Sequence, residues 1–159
     1  YRASDLAALS QLEPRIRACF EAGAMATGAT LEIQPLGPPY SEFAHDIDLV
    51  EKYRKNAEAL GRTFDSTPRR GAGSTDMANV SLLMPTIHPM LGLDSGSAVN
   101  HQPEFAAYCR TPVADRAAVE GALSMALTAV DASTDEATRA RLLSHETLYS
   151  EIQEYPWSF

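Results

Sequence analysis

Four histidines carry most of the candidate chemistry: His45, His88, His101 and His145. His145-Glu146 begins like the helix of a zinc protease, but the residue four past His145 is Tyr149. Two imidazoles on one helical face are needed to grip a metal there, so the pair is excluded and His145 reads as a solvated helix residue. His45 lies near a predicted helix start and calls for no special role. His88 and His101 differ, because both sit in loop-adjacent segments beside glycines and carboxylates, with Asp94 and Glu104 close in sequence to His101. A metal site needs three or four converging N, O or S donors. The spacing here offers candidates without defining a site, and taken singly either histidine reads as structural before it reads as a ligand.

The loop Gly71-Ala72-Gly73-Ser74-Thr75-Asp76 is the other candidate. Its glycines let the backbone approach a ligand, and its hydroxyl and N–H groups suit an anion or a helix cap. It lacks the GK[ST] ending of a nucleotide-binding loop, and spacing alone favours the cap. Ser74 has no G-x-S-x-G elbow. Asn79-Val80-Ser81 fits a glycosylation acceptor by chance. Cys19 and Cys109 lack CxxC partners and read as buried thiols of a reducing compartment.

The elements that must position these residues follow from periodicity. Ser4 is the expected N-cap of a first helix, with Asp5 as a first-turn charge, and Leu6, Leu9, Leu12, Ile16, Cys19 and Phe20 share one face. Pro14 predicts a kink or restart there, and Gly28 a C-cap. Residues 30–34 alternate like a half-buried strand, and the run Pro35-Leu36-Gly37-Pro38-Pro39 marks a boundary. Ile47, Leu49, Val50, Tyr53, Ala57 and Leu60 outline a second helix that stops at Gly61. Residues 62–73 and 94–103 are loop, and 77–83 is ambiguous. Residues 86–93 form an expected buried strand with Pro89 at an edge or bulge. A turn or two of helix covers 104–110. Pro112 opens a long helix carrying Val113, Val119, Leu123, Met125, Leu127 and Val130, and a last helix runs from Glu136 to about Gln153.

Composition narrows the classes. The chain of 159 residues is 45% hydrophobic and 21% charged, so it can bury a core. A formal charge of −8 disfavours nucleic acid, since Arg69–Arg70 and Arg139/Arg141 are isolated pairs rather than a basic stripe. No apolar run is long enough for a membrane span, and no secretion signal is visible, which leaves a cytoplasmic expectation. Tyr1 in place of Met suggests a removed N-terminus or a piece of something longer.

Three stretches together resemble a known family. Gly73-Ser74-Thr75-Asp76-Met77-Ala78-Asn79-Val80-Ser81 with Pro85-Thr86-Ile87-His88-Pro89 is similar to the C-terminal signature of the aminoacylase and carboxypeptidase metallopeptidases. The closest likeness is to the branch of Xaa-Arg dipeptidases and aminobenzoyl-glutamate hydrolases. Asn100-His101-Gln102-Pro103-Glu104-Phe105 resembles that family's last metal-ligand motif, and 17–28 resembles a helix of its lid domain. The resemblance implies an α/β fold: residues 1–40 as the C-terminal part of a lid and dimerisation domain, 41–159 as the C-terminal part of a catalytic domain. It implies hydrolysis of N-acyl amino acids or dipeptides by two divalent metal ions, zinc or else manganese. Of the ligands only His101 can be matched. The general base and the other ligands are expected in an N-terminal half, the natural partner, with a homodimer formed through the lid. Ser74, Thr75, Asp76 and His88 are the expected substrate contacts. The chain alone is then not expected to be active. A non-catalytic fragment or binding module of the same fold is the rival reading, and an unrelated anion-binding α/β domain a third.

Overall fold

The computed structural model describes residues 1–64 and 73–144. They form six helices: α1 (Leu6–Thr27), α2 (Ile47–Ala59), α3 (Met77–Ser81), α4 (Pro103–Tyr108), α5 (Pro112–Thr134) and α6 (Glu136–Leu143). They fall into two compact units, one of residues 1–44 with 73–84, the other of 45–64 with 85–144. The predicted extension of the last helix toward Gln153 lies beyond the described residues, as do His145 and Arg69–Arg70.

The α/β expectation is overturned, because the described residues contain no sheet. Their only β pairing is an isolated parallel bridge between His45 and Thr86. A strand exists only where a neighbour takes its N–H and C=O groups. Residues 30–34 alternate as a strand should, yet among the described residues none pairs with them as a strand, and Leu31 and Ile33 are both exposed. In 86–93 the pairing ends after Thr86, and Pro89 has no N–H to extend it.

In the first unit, α1 is capped one residue later than predicted. Asp5 is extended and accepts the Ala8 N–H at 2.7 Å, while Ser4 Oγ donates to Asp5 at 2.8 Å. These donors, Ala8 first, hold the Asp5 carboxyl below its ordinary pKa. The helix does not restart at Pro14 but runs through it, since one missing N–H removes one bond and leaves the flanking turns intact. Gly28 closes the helix at φ 69°, as expected of a left-handed cap. Leu6, Leu9, Leu12 and Ile16 are half-buried, but Cys19 and Phe20 are exposed. Cys109 is exposed too, so neither thiol is the buried one expected from its helical context.

α3 holds the extended segment beside it through side chains. Asn79 donates to the Pro39 carbonyl at 3.1 Å and accepts the Ser41 N–H at 3.2 Å. Ser81 Oγ accepts the Ala44 N–H at 2.9 Å and donates to Ala78 O at 2.6 Å. Two side chains thus satisfy backbone groups that a neighbouring strand would otherwise pair.

The second unit is built on α2 and α5. Pro112 is the N1 residue of α5 and Thr111 its cap, as read from sequence. The face of α5 that is buried is made of small residues, Ala117, Ser124, Thr128 and Ala132, and α2 contributes Tyr53 and Ala57 to the same core. Ser124 and Thr128 return their hydroxyls to the carbonyls of Glu120 and Ser124 at 2.8 and 2.7 Å, so their burial leaves no unmet donor. Asn56 of α2 donates to Asp131 of α5 at 2.8 Å. Gly121 lets Leu91 approach, since a Cβ there would lie 3.0 Å from Leu91 Cδ2. The large side chains Val119, Leu123 and Val130 are exposed, at 67%, 44% and 55%.

α6 is tied to the start of α2 by ions. Arg141 reaches Asp46 at 2.6 and 3.0 Å and Asp48 at 3.1 Å, and buried Thr138 donates to Asp48 at 2.7 Å. Lys52 lies 3.3 Å from Asp48 and 3.2 Å from Asp135. Asp46 is also the N-cap of α2, accepting the Leu49 N–H at 3.0 Å. Partial burial pushes the Asp46 carboxyl upward, but the Arg141 fork and the Leu49 N–H outweigh it and hold its pKa below the ordinary value. The Thr138 hydroxyl does the same for Asp48, opposed by slight burial and helped by Arg141 and Lys52.

Candidate functional site

The Ser74–Asp76 loop sits in the first unit at the start of α3. Ser74 and Asp76 are exposed and Thr75 is half-buried. Asp76, expected to cap the following helix, makes no side-chain cap bond; its backbone is already helical at φ −63°, ψ −24°. Thr75 stands one residue earlier and takes that role, its Oγ1 accepting the Met77 N–H at 3.3 Å. The reason is geometric, since a capping side chain must lie on a residue still outside the helix. Gly71 and Ala72 lie outside the described residues.

His101 is the one residue other than glycine with a positive φ among the described residues, at 67°. That left-handed conformation is uncommon for side-chain-bearing residues, and histidine is among those that tolerate it. The local sequence explains the turn. Pro103 begins α4 and drives Gln102 to an extended conformation (φ −119°, ψ 149°), so the chain must reverse at His101 to enter the helix. His101 is exposed, and so are Asp94 and Glu104. Among the described residues no group of three or more His, Cys, Asp or Glu side chains comes together to hold a metal ion. The donors present therefore do not fit a metal centre by themselves.

His88 lines a cleft of about 340 Å³ in the second unit, together with His45, Arg54, Phe64 and Met90. Tyr53, buried at 7% exposure, and Ile87 form apolar wall. The Arg54 guanidinium carbon lies 5.3 Å from the centre of the Phe64 ring. His45, read from sequence as unremarkable, reaches this cleft because its bridge to Thr86 and the Asp46 N–H bond to Thr86 O at 3.1 Å hold 85–90 against the start of α2. Arg62 fixes the other end. Its Nη1 donates to Gly92 O at 2.8 Å, and its Nε lies 2.9 Å from Glu120, an ion pair out of line for a hydrogen bond. Only long-range contacts reveal this assembly, and no local motif signals it.

A larger groove of about 440 Å³, lined by Leu49, Met125, Ala129, Leu142 and Leu143 with Arg139, is mostly apolar, and its described lining residues include no acid–base pair. No helix among the described residues is long and apolar enough to cross a membrane.

Comparison with known proteins places the likeness among peptidases. Two relatives, both Xaa-Arg dipeptidases, from Mus musculus and Homo sapiens, are each 31% identical to this chain over 134 residues. The match takes in 82% of this chain but 31% and 30% of the relatives, so the chain spans about a third of their length. The similarity supports a relationship to a peptidase family. No family model matches the chain.

Proposed function

We propose that this chain is a portion of a metal-dependent amidohydrolase or dipeptidase that cleaves amide bonds of N-acyl amino acids or dipeptides. The observation that carries the reading is similarity to Xaa-Arg dipeptidases over 82% of the chain. The unusual backbone at His101, inside the Asn100–Phe105 motif, is in keeping with it. In this reading His101 donates one ligand to a centre of two divalent ions, zinc or manganese. The remaining ligands and the general base come from residues outside this chain, in an N-terminal portion that is its partner. Ser74, Thr75 and His88 contact substrate, with Asp76 ordering the loop. A cytoplasmic setting and a homodimer formed through residues 1–40 belong to the same proposal.

The test uses the longer polypeptide that contains this sequence, assayed on N-acyl amino acids and dipeptides after metal loading. His101→Ala is expected to lose metal and most turnover, and the 159-residue chain alone to show none. Full metal content and normal turnover in the variant would refute the ligand role. Metal-dependent turnover by the pure 159-residue chain would refute the need for a partner. A second reading, a non-catalytic binding module, draws on the exposed Val119, Leu123 and Val130 of α5. It predicts that the longer polypeptide is equally inert.

A further inference from the structure

The cleft that His88 shares with His45 has a polarity unlike the rest of the chain. The protein carries 21 acidic and 13 basic residues, yet among the described residues no Asp or Glu lines this cleft, while an arginine and two histidines do. Among the described residues, no carboxylate lies within ion-pair distance of Arg54. Its contact is the Phe64 ring, 5.3 Å from the guanidinium carbon to the centroid. A guanidinium set over a ring keeps N–H groups able to take a carboxylate in two parallel bonds. The remaining walls, Tyr53, Ile87 and Met90 among them, are apolar or aromatic. A volume of about 340 Å³ is at the small end of ligand cavities, which run from roughly 300 to 1,000 Å³.

We propose that this cleft binds a small organic carboxylate with an aromatic or branched apolar body, its charge met by Arg54 with the His45 and His88 imidazoles alongside. A bare inorganic anion would leave the apolar walls wet, and a neutral apolar molecule would leave the guanidinium edge unused. The ligand class coincides with the carboxylate end of the substrates proposed above, and to that extent the inference rests on that reading. Binding is measured without metal or turnover, so either can fail alone.

The experiment is a titration of the 15N-labelled 159-residue chain with benzoate, benzamide and inorganic phosphate, followed by amide NMR shifts. Benzoate is expected to give saturable shifts concentrated in residues 45–54 and 86–90, with benzamide and phosphate at least about tenfold weaker, the scale of a lost charge-assisted bidentate contact. Arg54→Gln should weaken benzoate about tenfold and leave benzamide unchanged. Phe64→Leu, which keeps the charge but removes the ring beneath it, should weaken benzoate by a smaller factor. Equal binding of benzamide, equal binding of phosphate, shifts centred elsewhere, no saturable shift, or indifference to Arg54→Gln would each overturn the proposal.

Discussion

Asp46 performs two tasks whose energies can be separated. As N-cap of α2 it accepts the Leu49 N–H, and as an ion partner it holds Arg141 of α6 through two bonds. Losing a cap costs about 1 kcal/mol. The ion pair joins a largely buried Asp46 side chain, 9% exposed, to an Arg141 side chain 44% exposed, so solvent screening limits it to about 0.5–1 kcal/mol. Asp46→Ala, which removes both, should cost about 1.5–2 kcal/mol by this sum. Asp46→Asn keeps a good capping oxygen and should cost only the ion-pair share, about 0.5–1 kcal/mol. The assay is urea unfolding followed by far-UV circular dichroism, with the double variant Asp46→Asn/Arg141→Ala closing a cycle. The two single changes should overlap rather than add, and high salt should shrink the cost of Asn but not the further cost of Ala. If Asn is as damaging as Ala, or if the cycle is additive, the division between cap and ion pair is wrong.

Acid should weaken the same junction. Asp46 and Asp48 lie below the ordinary aspartate value of 3.8 in the folded chain and return to it on unfolding, so the native state binds fewer protons. Their contribution is fully present above 3.8 and lost as pH falls through the lowered native values; urea midpoints measured from neutral pH downward should be flat and then drop in that window. At His101 the left-handed backbone should make His101→Val about 1–2 kcal/mol less stable than His101→Asn in thermal unfolding, because a β-branched side chain resists φ 67° and asparagine does not. Ser81→Ala should cost about 0.5–1.5 kcal/mol by removing the bond to the Ala44 N–H, and amide hydrogen exchange at Ala44 should speed up correspondingly.

The helices were legible where a residue type has only one good place to stand. Thr111-Pro112 and Gly28 mark helix ends because proline tolerates N1 and glycine tolerates a left-handed cap. Adjacent capping candidates were not resolvable: Asp5 displaced Ser4, and Thr75 displaced Asp76, each by one residue. The buried face of α5 was not legible for a different reason. Apolar periodicity picks out Val119, Leu123 and Val130, but the core takes Ala117, Ser124, Thr128 and Ala132, whose small size permits close helix packing. The strands at 30–34 and 86–93 failed because alternation records a preference that only a neighbouring strand can satisfy. Of the candidate site, His101 was visible as a motif, while its backbone conformation was not. The His45–Arg54–His88 cleft joins residues distant along the chain and left no local trace.

The two-sided character of α5 bears on how the protein behaves as a colloid. Val119, Leu123 and Val130 are exposed while its small side chains form the core, so α5 adds a stripe of wet hydrocarbon to the exposed apolar residues found elsewhere on the chain. A net charge of −8 sets an opposing repulsion between molecules. Dilute, low-salt solutions leave that repulsion in command. Added sulfate both screens the charge and raises the cost of wet hydrocarbon, so the two effects reinforce each other. The salting-out curve of this chain should therefore be steep, and Val119→Lys with Leu123→Glu, which leave the charge at −8, should flatten it without touching the face buried in the core.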